Sequence, residues 1–330
     1  MNTSVYGNRE KLVGEAKRKK LVRRSPKVGL HRLVILEWLK DNEYRTGTLL
    51  EEALLKEAPA LPVECIECRS ATDVLAEVRA LTADVLKTGR VPILQIEAHG
   101  YADAEGRGLA GPSGSGHDEE LPWEVLAVEL RKLNIATRFN LIFVGAACVS
   151  DSAIYLVDSG LDPLPFILAV GFATEVRADR LLASMVALHK GVLVNGIPFQ
   201  SSAQMAHAAL DPGTEALAWF SLPLIIRSAG LDAAVIVADP AGNDDLYMKM
   251  LADLATKGIP PIPRHTFHKH RASYIPWAID KIVGSLLAYD QVPENRTRFG
   301  FDGRKLAREA RRTRHEPTVG ALERAVRARV

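Results

Sequence analysis

Two side chains stand out for what they could do together. His99 closes the apolar run PILQIEAHG and Cys148 closes the apolar run FNLIFVGAAC. If the two runs are parallel strands of one sheet, an imidazole and a thiol meet at the same sheet edge. A thiol at neutral pH is mostly protonated and only the thiolate attacks, so a neighbouring imidazole that takes the proton is the chemistry such a pair supplies. Gly145, Ala146, Ala147 and Gly100 are small, which would let a substrate backbone approach. Glu97 alternates to the face of His99 and is a candidate to orient it, with a solvated strand-end carboxylate as the plainer expectation.

The elements that must hold these residues follow from apolar runs alternating with helical patterns, which predict an α/β fold with a mostly parallel sheet. His31 to Leu39 and Leu61 to Ser70 read as the first two strands, and the two runs above as the third and fourth. Pro165 to Ala173 reads as the fifth, and Trp219 to Ile226 as a sixth. The apolar spacing of Val74, Leu75, Val78, Leu81 and Val85 predicts a helix over 71–88. Further helices are expected after Arg45 and Gly47, from Pro122, after a cap at Ser150 or Asp151, over 179–194, 201–210 and 246–256. The stretch Ala102 to Glu120, rich in Gly, Ser and charge, is expected to be a mobile surface loop.

A hydrophobic strand ending in His-Gly, a Gly-rich stretch, a helix, and a hydrophobic strand ending in a small residue and Cys occur here in order, with 49 residues from His99 to Cys148. In this the chain resembles the caspase-like cysteine peptidases of clan CD, and most closely their prokaryotic CHAT-type branch, over about His31 to Arg227. The resemblance implies a three-layer α/β/α sandwich with a mostly parallel central sheet. It implies Cys148 as nucleophile, His99 as general base and acid, and the N–H groups of Gly100 and Cys148 as oxyanion hole, with neither metal nor organic cofactor. It also implies a hydrolase that cleaves a specific partner protein in regulated proteolysis, such as prokaryotic antiviral defence or cell death, under the control of an activating partner. The alternative is a non-catalytic scaffold or binding module on the same fold, its basic arms making the contacts. One departure bears on specificity: where caspases carry Q-A-C-[RQG]-G, this chain reads Ala146-Ala147-Cys148-Val149-Ser150. Candidate substrate-pocket residues are therefore Glu175, Asp151 and Arg45, and a basic side chain before the scissile bond is favoured.

Composition bounds the rest. With 330 residues and 47% hydrophobic content the chain can bury a large core. Three cysteines make no disulfide framework, and the polar N-terminus lacks an apolar leader, so a cytoplasmic location is expected. The longest apolar stretch, 222–238, contains Arg227 and Asp232, so no membrane span is expected. The net charge of +2 conceals segregation, with +8 over residues 1–32 and +7 over 296–330 around an acidic middle. Three segments follow: a basic arm over 1–30, the peptidase domain over 31–258, and a basic helical extension over 259–330. Aromatic residues are sparse in the two charged stretches, Tyr6 in 1–32 and Phe299 and Phe301 in 296–330, so nucleic acid is not the expected partner. Cys65 and Cys68 form a C-x-x-C with no second pair, and His265, His268 and His270 could complete a metal site only from a distance. GRGLAGPSGSG lacks the Gly-Lys-Ser/Thr ending of a phosphate loop. His117, His189 and His207 read as surface residues.

Overall fold

The computed structural model describes residues 30–102, 106–114, 117–157, 162–222, 243–256, 258, 260–266, 279–305 and 308. The basic arm, residues 223–238 of the apolar stretch, with the end of the expected sixth strand, and most of the basic C-terminus lie outside them.

Continuous apolar runs form the centre, as expected for strands covered on both faces. Strands β1 (Arg32–Glu37), β2 (Val63–Glu67), β3 (Pro92–Glu97), β7 (Ile142–Ala146), β8 (Leu168–Phe172) and β9 (Leu217–Ser221) make one sheet in the order β2-β1-β3-β7-β8-β9. Every pairing in it is parallel except β8 with β9. The chain steps outward from β1 to β2, then crosses back to β3, so the direction of winding reverses between β1 and β3. In open α/β sheets ligands bind outside the carboxyl ends of the strands at such a reversal.

Alternation along the strands splits the core in two. Val34, Leu36, Leu94, Ile96 and Phe143 face helices α2 (Ala71–Thr88) and α3 (Trp123–Ala136), through Val74, Val78, Leu81, Leu126 and Leu130. Leu33, Ile35, Ile93, Ile142 and Val144 face helices α1 (Thr46–Glu57), α4 (Ala178–His189) and α5 (Phe199–Ala208), through Leu50, Leu54, Leu181, Met185 and Ala203. The result is a three-layer α/β/α sandwich, the fold class expected from the sequence. Ile279, Val283 and Leu287 join the α2–α3 side, so part of the segment assigned to the C-terminal extension packs on the main core. Helix α2 is capped at both ends as its sequence allows, by Ser70, whose side chain accepts from the Asp73 N–H, and by Gly89 in the left-handed conformation. A further helix, α6, spans Asn243–Thr256.

Three local expectations need correction. The stretch expected as a mobile loop is a second, antiparallel sheet: β4 (His99–Ala102) pairs with β5 (Arg107–Pro112), and β5 with β6 (Asp118–Pro122). Two of its glycines serve close packing: a Cβ at Gly108 would overlap Leu121 O, and one at Gly111 would sit 2.6 Å from Cδ2 of Trp38. Leu109 and Leu121 enter the main core, Trp38 Nε1 donates to Pro112 O at 2.8 Å, and the Ala71 N–H donates to Glu119. The helix after Cys148 is a 3-10 helix, Ser150–Val157, in which Ser150 does not cap: its hydroxyl donates to Gly145 O at 2.6 Å and accepts from the Phe172 N–H at 3.0 Å. The helix expected over 179–194 ends at His189 and continues as a π-helical turn over Lys190–Val194.

If the small sheet is integral to the core, truncating its buried leucine should be felt globally. Leu109→Ala is expected to lower unfolding free energy by about 2–5 kcal/mol, read by urea denaturation. A change below about 0.5 kcal/mol would return this stretch to the status of a surface loop.

Candidate active site

β3 and β7 are neighbours and parallel, paired from Ile93 with Ile142 to Glu97 with Ala146. Their ends carry the chain into Ala98-His99-Gly100 and Ala147-Cys148, so both candidates leave the sheet at the same edge. One cavity of about 240 Å³ is lined by Leu39, Glu43, Tyr44, Thr46, Glu97, Ala98, His99, Ala146, Ala147, Cys148, Val176, Ala178 and Leu181. The two backbones touch: a Cβ at Gly100 would overlap the Cys148 carbonyl and lie 3.3 Å from the Cys148 nitrogen, so only glycine fits there. Gly145 is small for a different reason than substrate access, since its missing side chain makes room for Ser150, whose Cβ would be 2.9 Å away.

His99 is exposed, and its Nε2 lies 2.9 Å from Oε1 of Glu43, a partner the sequence reading missed. Burial alone would raise the Glu43 carboxyl, but the Lys40 N–H, the His99 hydrogen bond and the charges of His99 and Lys40 together hold it below its usual range. As a carboxylate it can only accept, so Nε2 carries the proton and Nδ1 is the nitrogen left to act as a base. The Cys148 thiol accepts from the Val176 N–H at 3.4 Å and lies 3.8 Å from Val176 O, on the β8 side of the cavity. Val149, next in the chain, has φ 48°, an uncommon conformation for a β-branched residue. It is held by the Ser152 hydroxyl, which donates to Val149 O and accepts from Nε1 of Trp123.

Glu97 departs most from expectation. It does not orient His99 and it is not solvated: it is 1% exposed, at the cavity floor. Thr46 Oγ1 donates to Oε2 at 2.7 Å and Gln95 Nε2 donates to Oε1 at 2.5 Å. Behind Gln95 stands His189, also misread as a surface residue and in fact 1% exposed, which meets Gln95 Oε1 through Nε2. Burial pushes His189 down to about 3, so the ring is neutral. Glu97 pairs in register with Glu37 of β1, which is likewise buried. Glu37 is compensated by Arg45 Nε at 2.6 Å, by the N–H groups of Gly47 and Thr48, and by the Thr48 hydroxyl.

The three substrate-pocket candidates lie apart from this floor. Arg45 is engaged with Glu37 and Glu67 on the β2 side, Glu175 is exposed beside the lining residue Val176, and Asp151 is half-buried in the 3-10 helix. None of the three lines the cavity. Cys65 and Cys68 point to opposite layers, Cys68 within the α2–α3 core and Cys65 against the α1–α4 core, and burial pushes both thiols up to about 12. Among the described residues no group of three or more His, Cys, Asp or Glu side chains is arranged to hold a metal, and no helix is long and apolar enough to cross a membrane.

No protein-family model and no curated protein matches the chain. Among solved structures it is similar to a secreted C11 cysteine protease from Bacteroides thetaiotaomicron, with 9% sequence identity and a TM-score of 0.41, over 62% of this chain and 70% of that one. A likeness that distant bears on neither catalytic residues nor substrate.

The Glu97 carboxyl is pushed up to about 8, first by burial and then by the charge of Glu37, against the lowering pull of Thr46 and Gln95. Unfolded, the group ionises at its ordinary value of 4.5. Its contribution to stability is therefore full below that value and lost as pH rises through about 8. Glu97→Gln removes this dependence while keeping both hydrogen-bond positions occupied. Between about pH 5 and pH 9, unfolding free energy of the wild type is expected to fall by a few kcal/mol more than that of Glu97→Gln, since each tenfold difference in proton affinity is worth about 1.4 kcal/mol. Parallel profiles would show that Glu97 is not held protonated.

Proposed function

We propose that this protein is a caspase-like cysteine endopeptidase that works through a Cys148/His99 dyad. The observation that carries the reading is the pair of adjacent parallel strand ends that deliver the imidazole and the thiol to one cavity. Glu43 adds an orienting carboxylate of the kind a catalytic imidazole uses.

The reading implies the following steps. Nδ1 of His99 takes the proton of the Cys148 thiol, which gives up its contacts with Val176 to meet it. The thiolate attacks the scissile carbonyl, and the resulting oxyanion is met by the N–H groups of Cys148 and Gly100, whose backbones are already in contact. Protonated His99, stabilised through Nε2 by Glu43, gives its proton to the departing amine. Water, activated by His99, then releases the acyl group from sulfur and regenerates the thiol. None of these steps calls for a metal or an organic cofactor. All three cysteines are free thiols, which fits work in the cytoplasm on a partner protein. Regulated proteolysis in prokaryotic defence, of the CHAT type, is the biological role this reading extends to.

Cys148→Ala and His99→Ala are each expected to abolish cleavage of a peptide library and to retain wild-type circular dichroism, the double variant being no worse than either single one. Glu43→Gln is expected to lower kcat by less than the about 10²–10⁴ that general acid–base catalysis contributes, with KM near wild type. Peptidase activity surviving in Cys148→Ala would sink the assignment. A wild-type thiol that no peptide electrophile labels would favour a scaffold on this fold.

A further inference from the structure

The buried polar residues around the cavity floor are arranged about one group. Thr46 donates to one oxygen of Glu97 and Gln95 to the other. Gln95 can turn its amide nitrogen to Glu97 because its own oxygen accepts from His189 Nε2, which leaves His189 Nδ1 buried with no hydrogen-bond partner among the described residues. Every hydrogen bond in this relay thus points its donor toward Glu97, an arrangement that suits a carboxylate acceptor. Glu37, its neighbour across the β1–β3 register, has Arg45 as counter-ion. Glu97 has no cation paired with it among the described residues, and each of its oxygens retains a lone pair. Burial disfavours the charged form of a carboxyl that has no cation beside it, so a buried carboxyl facing a cavity ionises readily only when a cation from outside is there to pair with it.

The position agrees with this. Glu97 ends β3 at the winding reversal, where open α/β sheets bind ligands, and the cavity above it also contains the Cys148 thiol. The walls include the apolar Leu39, Val176 and Leu181 and the ring of Tyr44, which suit a methylene stem. At about 240 Å³ the space matches a single side chain better than a drug-sized ligand, whose pockets run to about 300–1,000 Å³.

We propose that Glu97 determines specificity at this site, its carboxylate receiving the ammonium or guanidinium of a lysine or arginine immediately before the scissile bond. This rests on the peptidase reading above and assigns the substrate contact to Glu97 in place of Glu175, Asp151 or Arg45. Thr46 and Gln95 are positioning residues that hold the acceptor in place. A cationic side chain entering the cavity displaces the Glu97 proton to solvent, so recognition strengthens as pH rises toward and past about 8. The titratable groups around Glu97 are Glu37 of β1 with its partner Arg45, Cys65 of β2 and neutral His189 of α4, and Glu43, Tyr44, His99 and Cys148 line the same cavity.

The test uses peptidyl acyloxymethyl ketones that differ only in the side chain before the warhead: lysine, arginine, norleucine or glutamate. Alkylation of Cys148 in the full chain is followed by intact mass. Lysine and arginine probes are expected to react about 10- to 100-fold faster than norleucine, the range of a charged hydrogen bond. In Glu97→Gln that ratio is expected to fall to near one, with the norleucine rate reporting that the variant is folded and its thiol competent. The alkylation chemistry is common to all probes, so the lysine-to-norleucine ratio in the wild type isolates Glu97 and is expected to climb between about pH 6 and pH 9. A wild-type ratio near one, or a preference retained in Glu97→Gln, overturns the inference and leaves the dyad standing. Iodoacetamide labelling of Cys148 with no reaction from any peptide probe overturns the peptidase reading, and this inference with it.

Discussion

Two buried carboxylates, Glu37 and Glu97, end adjacent strands in register, and much of the surrounding structure follows from having to accommodate them. Helix α1 presents its N-terminus to them, where exposed N–H groups and the helix dipole favour negative charge. Gly47 is required for that approach, because a Cβ there would lie 2.9 Å from Ile35 Cγ2, 3.1 Å from Glu37 Oε1 and 3.2 Å from Glu97 Cγ. Arg45 completes the neutralisation of Glu37 alone. The two groups are consequently unlike: one is a paired anion, and the other is kept protonated by its burial.

The same accommodation places the candidate base. The segment between β1 and α1 has to bring Arg45 to Glu37, and in doing so it carries Glu43 to His99. Lys40, in the same segment, donates its backbone N–H to Glu43 and pairs through its ammonium with Asp118 of the small sheet. Orientation of the imidazole is thus tied through one short stretch of chain to the buried charge on one side and to the antiparallel sheet on the other. The thiol has its own support. Ser150 ties the turn after Cys148 to β7 and β8, and Ser152 with Trp123 fixes Val149 in an unfavoured backbone conformation. A strained residue persists only where its surroundings over-determine it, and this one follows the nucleophile directly.

Periodicity located the strands of the main sheet and most of the helices and put His99 and Cys148 just past strand ends; the pairing of β3 with β7 makes those ends neighbours. Runs such as LVIL and LIFV are short, rich in β-branched and aromatic residues and read as buried strands, and 3.6-residue spacing marks α2. Composition misled where glycine had a packing role: the stretch after His99 reads as a flexible loop, yet Gly108 and Gly111 are there because Pro122, Tyr101 and Trp38 lie against them. The signal that could have corrected this was faint, the alternation of Leu109 and Gly111 with Leu121.

What the tertiary structure alone decided is the environment of each polar group. Nothing within Gln95-Ile96-Glu97 says whether the glutamate meets water, and nothing in α4 says that its terminal histidine is buried. That depends on which helices close over the β1–β3 crevice, and the closure brings together residues as far apart as Thr46, Glu97 and His189. Glu43 is likewise unremarkable in its own segment and becomes the His99 partner only through a contact 56 residues long. Backbone pattern is local and is written in the sequence; burial and partnership are set by chain closure, and they decide which of forty acidic side chains can do chemistry.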